Sequence, residues 1–499
     1  MIRPKGIPFS KTELSCNNPP YKEIQRKGPE KVSQSSNKMG TAPVFPLILK
    51  MSTPAMFSML IQALYNVVDS IYISRFDPEQ NGLTAVSLAF PFQMIMVAVA
   101  VGTGVGLNSL ISRRLGERDQ KAADSAATHG IILALLSSLV FVVIGLTLSR
   151  PFISLFSDSA TVVQMGTEYL AIVTALSFGA FIEVTLNRIL QATGNMIIPM
   201  VTQIVGAVTN IILDPILIFG WFGLPAMGVA GAAIATVAGQ ILAMLVAATA
   251  FRMGKHRVRI SLKGFRPEGK TIKDIYAVGL PAIVMQSIAS VMNSGLNAIL
   301  MDSEVAVKVL GVYFKLQSFV FMPVFGLNQG TMPIMGFNFG AGNKKRFMDT
   351  LKYGGLIALA VMILGTLLFQ IFPEFLLGIF SDDPGMVDTG VRAFRAISLC
   401  FIPAALGITF SNVFQATGRG FMSLLISLLR QLVLILPIAW IISWFDLGMV
   451  WYAFPIAEAV SLVVSILLFV YLYKTSIANL IPIEMRQGGA EPEKEQDDE

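Results

Sequence analysis

The sequence predicts an all-α protein that crosses a membrane twelve times, and three observations lead to this prediction. The first is composition, since 54% of the 499 residues are apolar and 14% are charged, against about 45–50% and about 25% in soluble domains. The second is the arrangement of the apolar residues in twelve long runs, and the third is an internal repeat. A mean hydropathy of +0.67 excludes an ordinary water-soluble globule.

Each apolar run is long enough to cross a bilayer as a helix, because about 20 residues span about 30 Å of hydrocarbon at about 1.5 Å per residue. Clusters of charged, glycine and proline residues separate the runs and predict short loops. We place the twelve spans at 45–74, 84–112, 127–148, 166–190, 196–219, 226–250, 274–302, 309–335, 349–372, 388–414, 421–444 and 449–474.

Three short motifs recur at one offset of 224 residues. The pairs are Gly116 with Gly340, Phe156-Ser157-Asp158 with Phe380-Ser381-Asp382, and Gln191-Ala192-Thr193-Gly194 with Gln415-Ala416-Thr417-Gly418. Matches in register indicate a duplication, and six spans per copy give both copies the same orientation. The sequence therefore predicts two six-helix lobes related by a pseudo-two-fold axis along the membrane normal.

The domains follow from this repeat. They are a disordered cytoplasmic extension at 1–43, an N-lobe at 44–250, a basic cytoplasmic linker at 251–273, a C-lobe at 274–475 and a cytoplasmic tail at 476–499. Of the 37 Lys and Arg residues, 29 fall on the side of the two termini and 3 in the opposite loops. By the positive-inside rule both termini are cytoplasmic, in a plasma (inner) membrane, and the net charge of +6 indicates this bias and not a nucleic-acid partner.

Several function classes are disfavoured. Two cysteines and two histidines do not make a Cys/His metal cluster or a disulfide framework. The sequence has no Walker A, GxSxG, HExxH or CxxC motif, so neither ATP-driven transport nor enzyme catalysis is predicted. We expect no cofactor other than a coupling ion, H⁺ or Na⁺.

Ionisable residues inside spans are costly and are functional by default. Four acids lie there: Asp69, Glu183, Asp214 and Glu458. Asp69 shares one helix face with Gln62, Tyr65 and Asn66, because their spacings are three, four and seven residues.

Asp214 follows Asn210 by one turn and precedes Pro215, which removes a backbone donor and leaves the carbonyl of Ile211 available for water or a cation. Asp69 and Asp214 both lie roughly 9 Å before the outer end of their spans. In a shared cavity their repulsion would favour binding of a proton. Na⁺ is an equally reasonable ligand, because Asp69, Asn210, Asp214 and Thr236 offer hard oxygen atoms. The alternative is that each acid neutralises a cation such as Arg188.

The remaining polar residues of the spans are candidates for a substrate cavity: Gln62, Tyr65, Asn66, Glu183, Asn187, Gln286, Asn293 and Lys315. Glu183 has a local structural role or a part in substrate entry. In the second half, Lys315, Arg430 and Glu458 pair among themselves, or Lys315 and Glu458 line the cavity.

The sequence resembles the multidrug and toxic compound extrusion (MATE) family over residues 45–475. The motifs that carry the resemblance are the duplicated Gln-Ala-Thr-Gly, Ser112-Arg113-Arg114-Leu115-Gly116 with its counterpart Asn338-Phe339-Gly340-Ala341-Gly342-Asn343, the run from Asn210 to Pro215, and the run from Gly228 to Thr236. The family implies a V-shaped pair of lobes that exports drugs in exchange for H⁺ or Na⁺.

Within the family the chain looks like the DinF-like branch and is similar to the MepA-like multidrug exporters. That branch implies a cation site formed by Asp69, Asn210, Asp214 and Thr236. It is supported by Gln62, Tyr65 and Asn187. The NorM-type branch implies a cation site formed by acidic residues of helices 7 and 10. In this sequence the interiors of spans 7 and 10 contain no acidic residue.

Our leading hypothesis is a cation-coupled multidrug antiporter that works by alternating access. Its partners would be small-molecule drugs and the lipid bilayer, with no nucleic acid, and we expect a monomer. Two alternatives stay open. A lipid-linked oligosaccharide flippase would need a cationic cavity, for which Lys315, Arg392, Arg395 and Arg430 are available, and a non-transporting membrane binding protein would leave the paired acids unexplained.

Overall fold

A computed structural model describes residues 37–76, 81–254, 256–380, 383–483 and 485, without the side chains at 37, 65–71 and 73–76. The regular elements of this described part are helices. Helices are what the apolar sequence requires, because a bilayer offers no partner for a backbone N–H or C=O and a helix satisfies both internally.

Seventeen α-helices follow one another in the described residues, with short 3₁₀ and π segments between some of them. In chain order they are α1 Asn37–Thr41, α2 Val44–Phe76, α3 Asn81–Gly116, α4 Gln120–Ser154, α5 Ala160–Ala175, α6 Phe178–Ala192, α7 Ile197–Phe219, α8 Gly228–Met253, α9 Gly269–Leu300, α10 Glu304–Gly340, α11 Lys344–Ile371, α12 Pro373–Gly378, α13 Pro384–Ser398, α14 Phe401–Ala416, α15 Gly420–Leu428, α16 Leu436–Ser443 and α17 Ala453–Leu472. The π segments are Leu429–Ile435 and Tyr473–Ile477.

The twelve predicted spans are confirmed by this helix order. In the described part of the chain ten segments are long and apolar enough to cross a membrane singly, and two further spans consist of bent pairs. The pairs are α5 with α6, bent by 47°, and α13 with α14, bent by 45°. The sequence predicted each pair as one uninterrupted span, so the bends are a new feature of both halves.

The internal repeat reappears in the local structure. Asp119 and Asn343, 224 residues apart, cap α4 and α11 by accepting a backbone hydrogen bond. Gly194 and Gly418 have φ of +88° and +83° in the turns after α6 and α14. A left-handed φ favours glycine at both turns, so the duplicated Gln-Ala-Thr-Gly motif encodes the same turn twice.

The two halves meet through equivalent helices, α3 against α9 and α2 against α10. Glycines allow this approach. A Cβ on Gly106 would collide with the carbonyl oxygen of Ile275, and one on Gly102 would lie 2.6 Å from the backbone nitrogen of Ile283. Gly102 and Gly106 therefore bring α3 and α9 into close contact, and this contact joins one half to the other.

Polar contacts between the halves cluster on one face of the bundle, where α2 begins and α10 ends; we call this face the terminal side. Arg114 lies 3.3 Å from Asp274. The Asn338 amide donates to the carbonyl of Met39 at 3.1 Å, so α1 is part of the contact. The Ser52 hydroxyl donates to a carbonyl of α10 at 3.2 Å. The halves are thus closed against each other on the terminal side.

The linker between the halves is docked on α4. The backbone N–H of Arg259 donates to Asp124 at 2.8 Å, and that of Glu268 donates to Nε2 of His129 at 2.9 Å. The Thr271 hydroxyl, and less strongly the Ser125 hydroxyl, donates to the Glu268 carboxylate and holds its pKa below the usual value. The basic linker is therefore an ordered connection and not a free loop over its described residues.

The glycine contact between the halves predicts the effect of one added methyl group. Gly106→Ala is expected to lower the free energy of unfolding by about 1–3 kcal/mol, because overpacking against the Ile275 backbone forces α3 and α9 apart. The matched control is Gly311→Ala in α10, where the added Cβ has no heavy atom within 4 Å. Thermal unfolding of the purified protein, followed by tryptophan fluorescence, measures both. Equal melting temperatures for the two variants would contradict the close approach.

Candidate functional site

Helices α7 and α8 are held close together by small residues. A Cβ on Gly239 of α8 would lie 2.6 Å from the carbonyl oxygen of Gly206 on α7, and one on Gly231 would lie 2.7 Å from the carbonyl oxygen of Leu217. At this separation a short polar side chain on one helix reaches the other.

Three of the four residues expected to form the cation site meet at this interface. Asp214, Asn210 and Thr236 are 0%, 2% and 5% exposed. With the Asn210 amide oriented so that donors face acceptors, its nitrogen donates to Oδ2 of Asp214 at 2.9 Å and its oxygen accepts from the Thr236 hydroxyl at 3.2 Å. We call Asn210, Asp214 and Thr236 the N-lobe acid cluster.

The fourth residue of the expected site, Asp69, lies on α2, and its side chain is outside the described residues. The same holds for the side chains of Tyr65 and Asn66, whereas Gln62 is described and half-buried. The backbone of α2 packs along α7, so the helix that carries Asp69 is a neighbour of the helix that carries Asp214.

Pro215 leaves an additional hydrogen-bond acceptor, a backbone carbonyl, beside this cluster. Helix α7 continues through Pro215 to Phe219, and because proline has no N–H the carbonyl of Ile211 lacks its helical donor. A backbone carbonyl and a carboxylate thus lie one turn apart on α7.

Asn187 and Glu183 belong to a second group, between α6 and α7. The Asn187 amide donates to Glu183 at 2.5 Å and accepts a hydrogen bond from the Thr202 hydroxyl at 3.1 Å. Thr202 is fully buried and was missed by the sequence analysis. Its signal was the four-residue spacing of positions 202, 206, 210 and 214, which aligns Thr202 with Asn210 and Asp214 on one face of α7.

Arg188 connects this region to the other half of the protein. Its guanidinium donates to Gln191 at 3.1 Å, and Gln191 donates to Gln329 of α10 at 3.4 Å. Among the described side chains, Glu183 is the charged neighbour of Arg188. The arrangement pairs Arg188 electrostatically with Glu183, and Gln191 and Gln329 were missed because nothing in a linear sequence shows that α6 and α10 approach each other.

The candidates of the second half are dispersed. Gln286 is exposed on α9, and Asn293 is half-buried with an amide oxygen that has no hydrogen-bond partner among the described atoms. Lys315 is exposed and lies 6.0 Å from the ring centroid of Phe380. Arg430 pairs with Glu458 at 3.3 Å, and Lys315 takes no part in this pair.

The N-lobe acid cluster offers one carboxylate and neutral oxygen atoms to a ligand. Within the described chain no group of three or more His, Cys, Asp or Glu residues is placed to hold a metal ion. A single carboxylate among neutral oxygen ligands suits a proton or a monovalent cation better than a divalent ion, because divalent sites in proteins use more anionic ligands.

Known proteins resemble this chain in sequence. The family model MatE matches residues 54–216 and 281–441, one segment in each half. The multidrug export protein MepA of Staphylococcus aureus strain MRSA252 is 25% identical over 436 residues, which are 87% of this chain and 95% of the relative. MepA of Staphylococcus haemolyticus is 26% identical over 420 residues, 84% of this chain and 91% of the relative.

Solved structures share the fold. A multidrug resistance MATE family transporter of the MOP superfamily in an outward-facing conformation superposes with a TM-score of 0.83 at 28% identity, covering 90% of this chain and 99% of that one. A MOP superfamily transporter from Pyrococcus furiosus, described as having a binding pocket of reverse polarity, gives the same TM-score and coverage at 27% identity.

The MatE model matches both halves of the duplicated fold, the twelve spans follow the order found in solved MATE transporters, and the matched relatives are multidrug export proteins. The chain therefore belongs to the MATE family of multi-pass membrane transporters.

Proposed function

We propose that this protein exports amphipathic, often cationic organic compounds in exchange for H⁺ or Na⁺, and that the coupling ion binds at the N-lobe acid cluster together with Asp69. Both termini are cytoplasmic in this proposal, in the plasma (inner) membrane. The positive-inside distribution of Lys and Arg supports that orientation. The names of the MepA relatives support a multidrug substrate range.

The observation that carries the proposal is the burial of Asp214 beside Asn210 and Thr236 in the interior of the N-lobe. A charged carboxylate buried in that position destabilises the folded protein unless a proton or a cation neutralises its charge. Loading and unloading that ion changes the charge inside the lobe, which gives the two states of a transport cycle different stabilities.

Alternating access is supported by how the halves meet. They are closed on the terminal side by glycine-mediated backbone contact and by the Arg114–Asp274 pair. With cytoplasmic termini, closure on this side is what an outward-facing state requires. Release of the drug would then take place on the outer side, and reloading requires these contacts to separate.

The flippase alternative requires unpaired cations around the cavity. Of the four cations named for it, the three arginines have acidic neighbours, whereas Lys315 lies 6.0 Å from the ring centroid of Phe380. Arg430 pairs with Glu458 at 3.3 Å, and Arg392 pairs with Asp388 at 2.7 Å. The third arginine, Arg395, lies 3.6 Å from Glu374. Pairing of all three arginines favours the drug antiporter.

Removal of the buried carboxylate tests the coupling site. In proteoliposomes loaded with a lipophilic fluorescent cation, Asp214→Asn is expected to lower ion-driven efflux by about tenfold or more, because coupling free energies of about 1–3 kcal/mol correspond to roughly 5–150-fold. Asp69→Asn is expected to have the same effect. The matched control is Asp388→Asn, an exposed acid on α13, which should transport like the wild type.

All variants are compared at equal reconstituted amounts, with size-exclusion profiles to confirm folding. Efflux by Asp214→Asn and Asp69→Asn at the wild-type rate would refute the N-lobe assignment.

The identity of the ion is tested by imposing H⁺ and Na⁺ gradients separately. If Na⁺ is the ion, Thr236→Val is expected to raise the Na⁺ concentration for half-maximal efflux, since it removes an oxygen ligand and keeps the side-chain shape, and Thr236→Ser should restore it. If H⁺ is the ion, efflux follows the pH gradient at constant Na⁺. Efflux that responds to neither gradient would contradict ion coupling altogether.

A further inference from the structure

The second half carries a polar bridge of its own at the interface equivalent to the N-lobe acid cluster. In the N-lobe, Asn210 of α7 contacts Thr236 of α8. In the C-lobe, Nη1 of Arg430 lies 3.3 Å from Oε1 of Glu458 on α17. Both bridges join the fifth span of their half to the sixth, but one is built on a neutral amide and the other on an ion pair.

This ion pair is not inherited from the duplication. At the repeat offset of 224 residues Arg430 corresponds to Gly206, and Glu458 corresponds to Ile234. In the N-lobe the glycine allows close helix packing, whereas in the C-lobe two ionisable side chains occupy the same interface. The pair is thus a specific feature of the C-lobe and needs its own explanation.

The backbone at Arg430 departs from α-helical geometry. Residues Leu429–Ile435 form a π-helical segment between α15 and α16, although the equivalent helix α7 is continuous from Ile197 to Phe219. Such segments often accompany functional sites, because the widened turn changes the direction of side chains and is easily rearranged.

Two buried polar atoms of the pair have no hydrogen-bond partner among the described atoms. They are Oε2 of Glu458 and Nε of Arg430, whereas the hydroxyl of the nearby Tyr313 hydrogen-bonds with the thiol of Cys400. The Glu458 and Arg430 side chains are 8% and 19% exposed, and Tyr313 is fully buried. A buried unpaired polar atom is costly, and a group of them next to a single ion–ion contact indicates a site that exchanges a small ligand.

The surroundings restrict which ligand fits. Arg430 and the Ser461 hydroxyl, three residues further along α17, interact with Glu458. Glu458 in turn acts electrostatically on the nearby Tyr313 and Cys400. Tyr313 itself is enclosed by aromatic rings, with the Phe454 centroid at 5.8 Å and the Phe394 centroid at 6.3 Å. An arginine beside the carboxylate repels a metal cation, so the ligand that this buried site among aromatic rings accepts is a proton.

The other charged groups on helices packed against α17 are engaged elsewhere. On α13, Arg392 pairs with Asp388 and Arg395 lies 3.6 Å from Glu374. Lys474 follows α17 at its terminal-side end, four helical turns from Glu458. The state of Glu458 is therefore governed by Arg430.

We propose that Arg430, Glu458 and Tyr313 form a proton-binding site of the C-lobe, separate from the N-lobe acid cluster. A proton from water binds Oε2 of Glu458, an O–H bond forms, and the carboxylate becomes neutral. Arg430 keeps its charge and loses its partner, and a lone buried charge is unstable. The π-helical segment then carries Arg430 to another position. In the reverse direction, withdrawal of Arg430 leaves Glu458 in apolar surroundings that favour the neutral acid.

Proton binding is measured without transport by infrared difference spectroscopy of the full chain in nanodiscs, between neutral and mildly acidic buffer. The wild type is expected to show a carboxylic-acid C=O band that Glu458→Gln lacks. Glu374→Gln, at an acid on the surface of the C-lobe that is 58% exposed, is the matched control and should retain the band. A spectrum of Glu458→Gln that equals the wild-type spectrum would overturn the proposal.

A double variant separates proton binding from a merely structural ion pair. Arg430→Met with Glu458→Met removes both charges together, and such replacements of buried pairs are often neutral or stabilising. It is expected to fold and to transport with one proton fewer per drug molecule, measured from the reversal potential in proteoliposomes. A folded double variant with the wild-type proton-to-drug ratio would show that the pair is structural.

The transport measurement depends on the proposed antiport, but the infrared measurement does not. If the wild type exchanges no cation for drug, the proposed function fails, while the presence or loss of the Glu458 band still decides whether the C-lobe site binds a proton.

Discussion

A bilayer supplies no hydrogen bonds, and the structure depends throughout on this constraint. Backbone groups are satisfied within helices, and many hydroxyl groups in the spans bond to their own helix, as Thr174 does to the carbonyl of Leu170 at 2.6 Å. Charged and amide side chains must then pair with one another. These pairs lie at helix interfaces, and examples are the N-lobe acid cluster, the group around Glu183 and the Arg430–Glu458 pair. Each of these interfaces is therefore a place where a change of one charge is transmitted to helix packing.

Glycine has two roles in this architecture. Within the N-lobe, Gly206 and Gly239 bring α7 and α8 together so that Asn210 reaches Thr236. Between the lobes, Gly106 and its neighbours allow direct backbone contact on the terminal side. The second kind of contact joins backbone to backbone, at the interface that the proposed transport cycle would separate and re-form.

The duplication produced a symmetric scaffold with an asymmetric distribution of charge. Turns and helix caps agree at a 224-residue offset, as at Gly194 and Gly418. The ionisable side chains of the spans are not repeated at this offset, since Asp214 corresponds to Ile438 and Arg430 corresponds to Gly206. Backbone geometry is retained in both copies because it stabilises the fold. The buried charges differ because each is tolerated only where its own lobe supplies a partner, so the two lobes hold different ionisable groups at equivalent interfaces.

The sequence by itself determined the twelve spans, the duplication and the spacing of Asn210 and Asp214, because apolar length and helical periodicity are local properties. It did not show the bends between α5 and α6 or between α13 and α14, or the involvement of Thr202 and Gln329. Those were decided by the tertiary structure. A hydrogen bond between side chains on different helices depends on how closely and in which rotation the helices pack, and that is set by contacts between residues far apart in the chain.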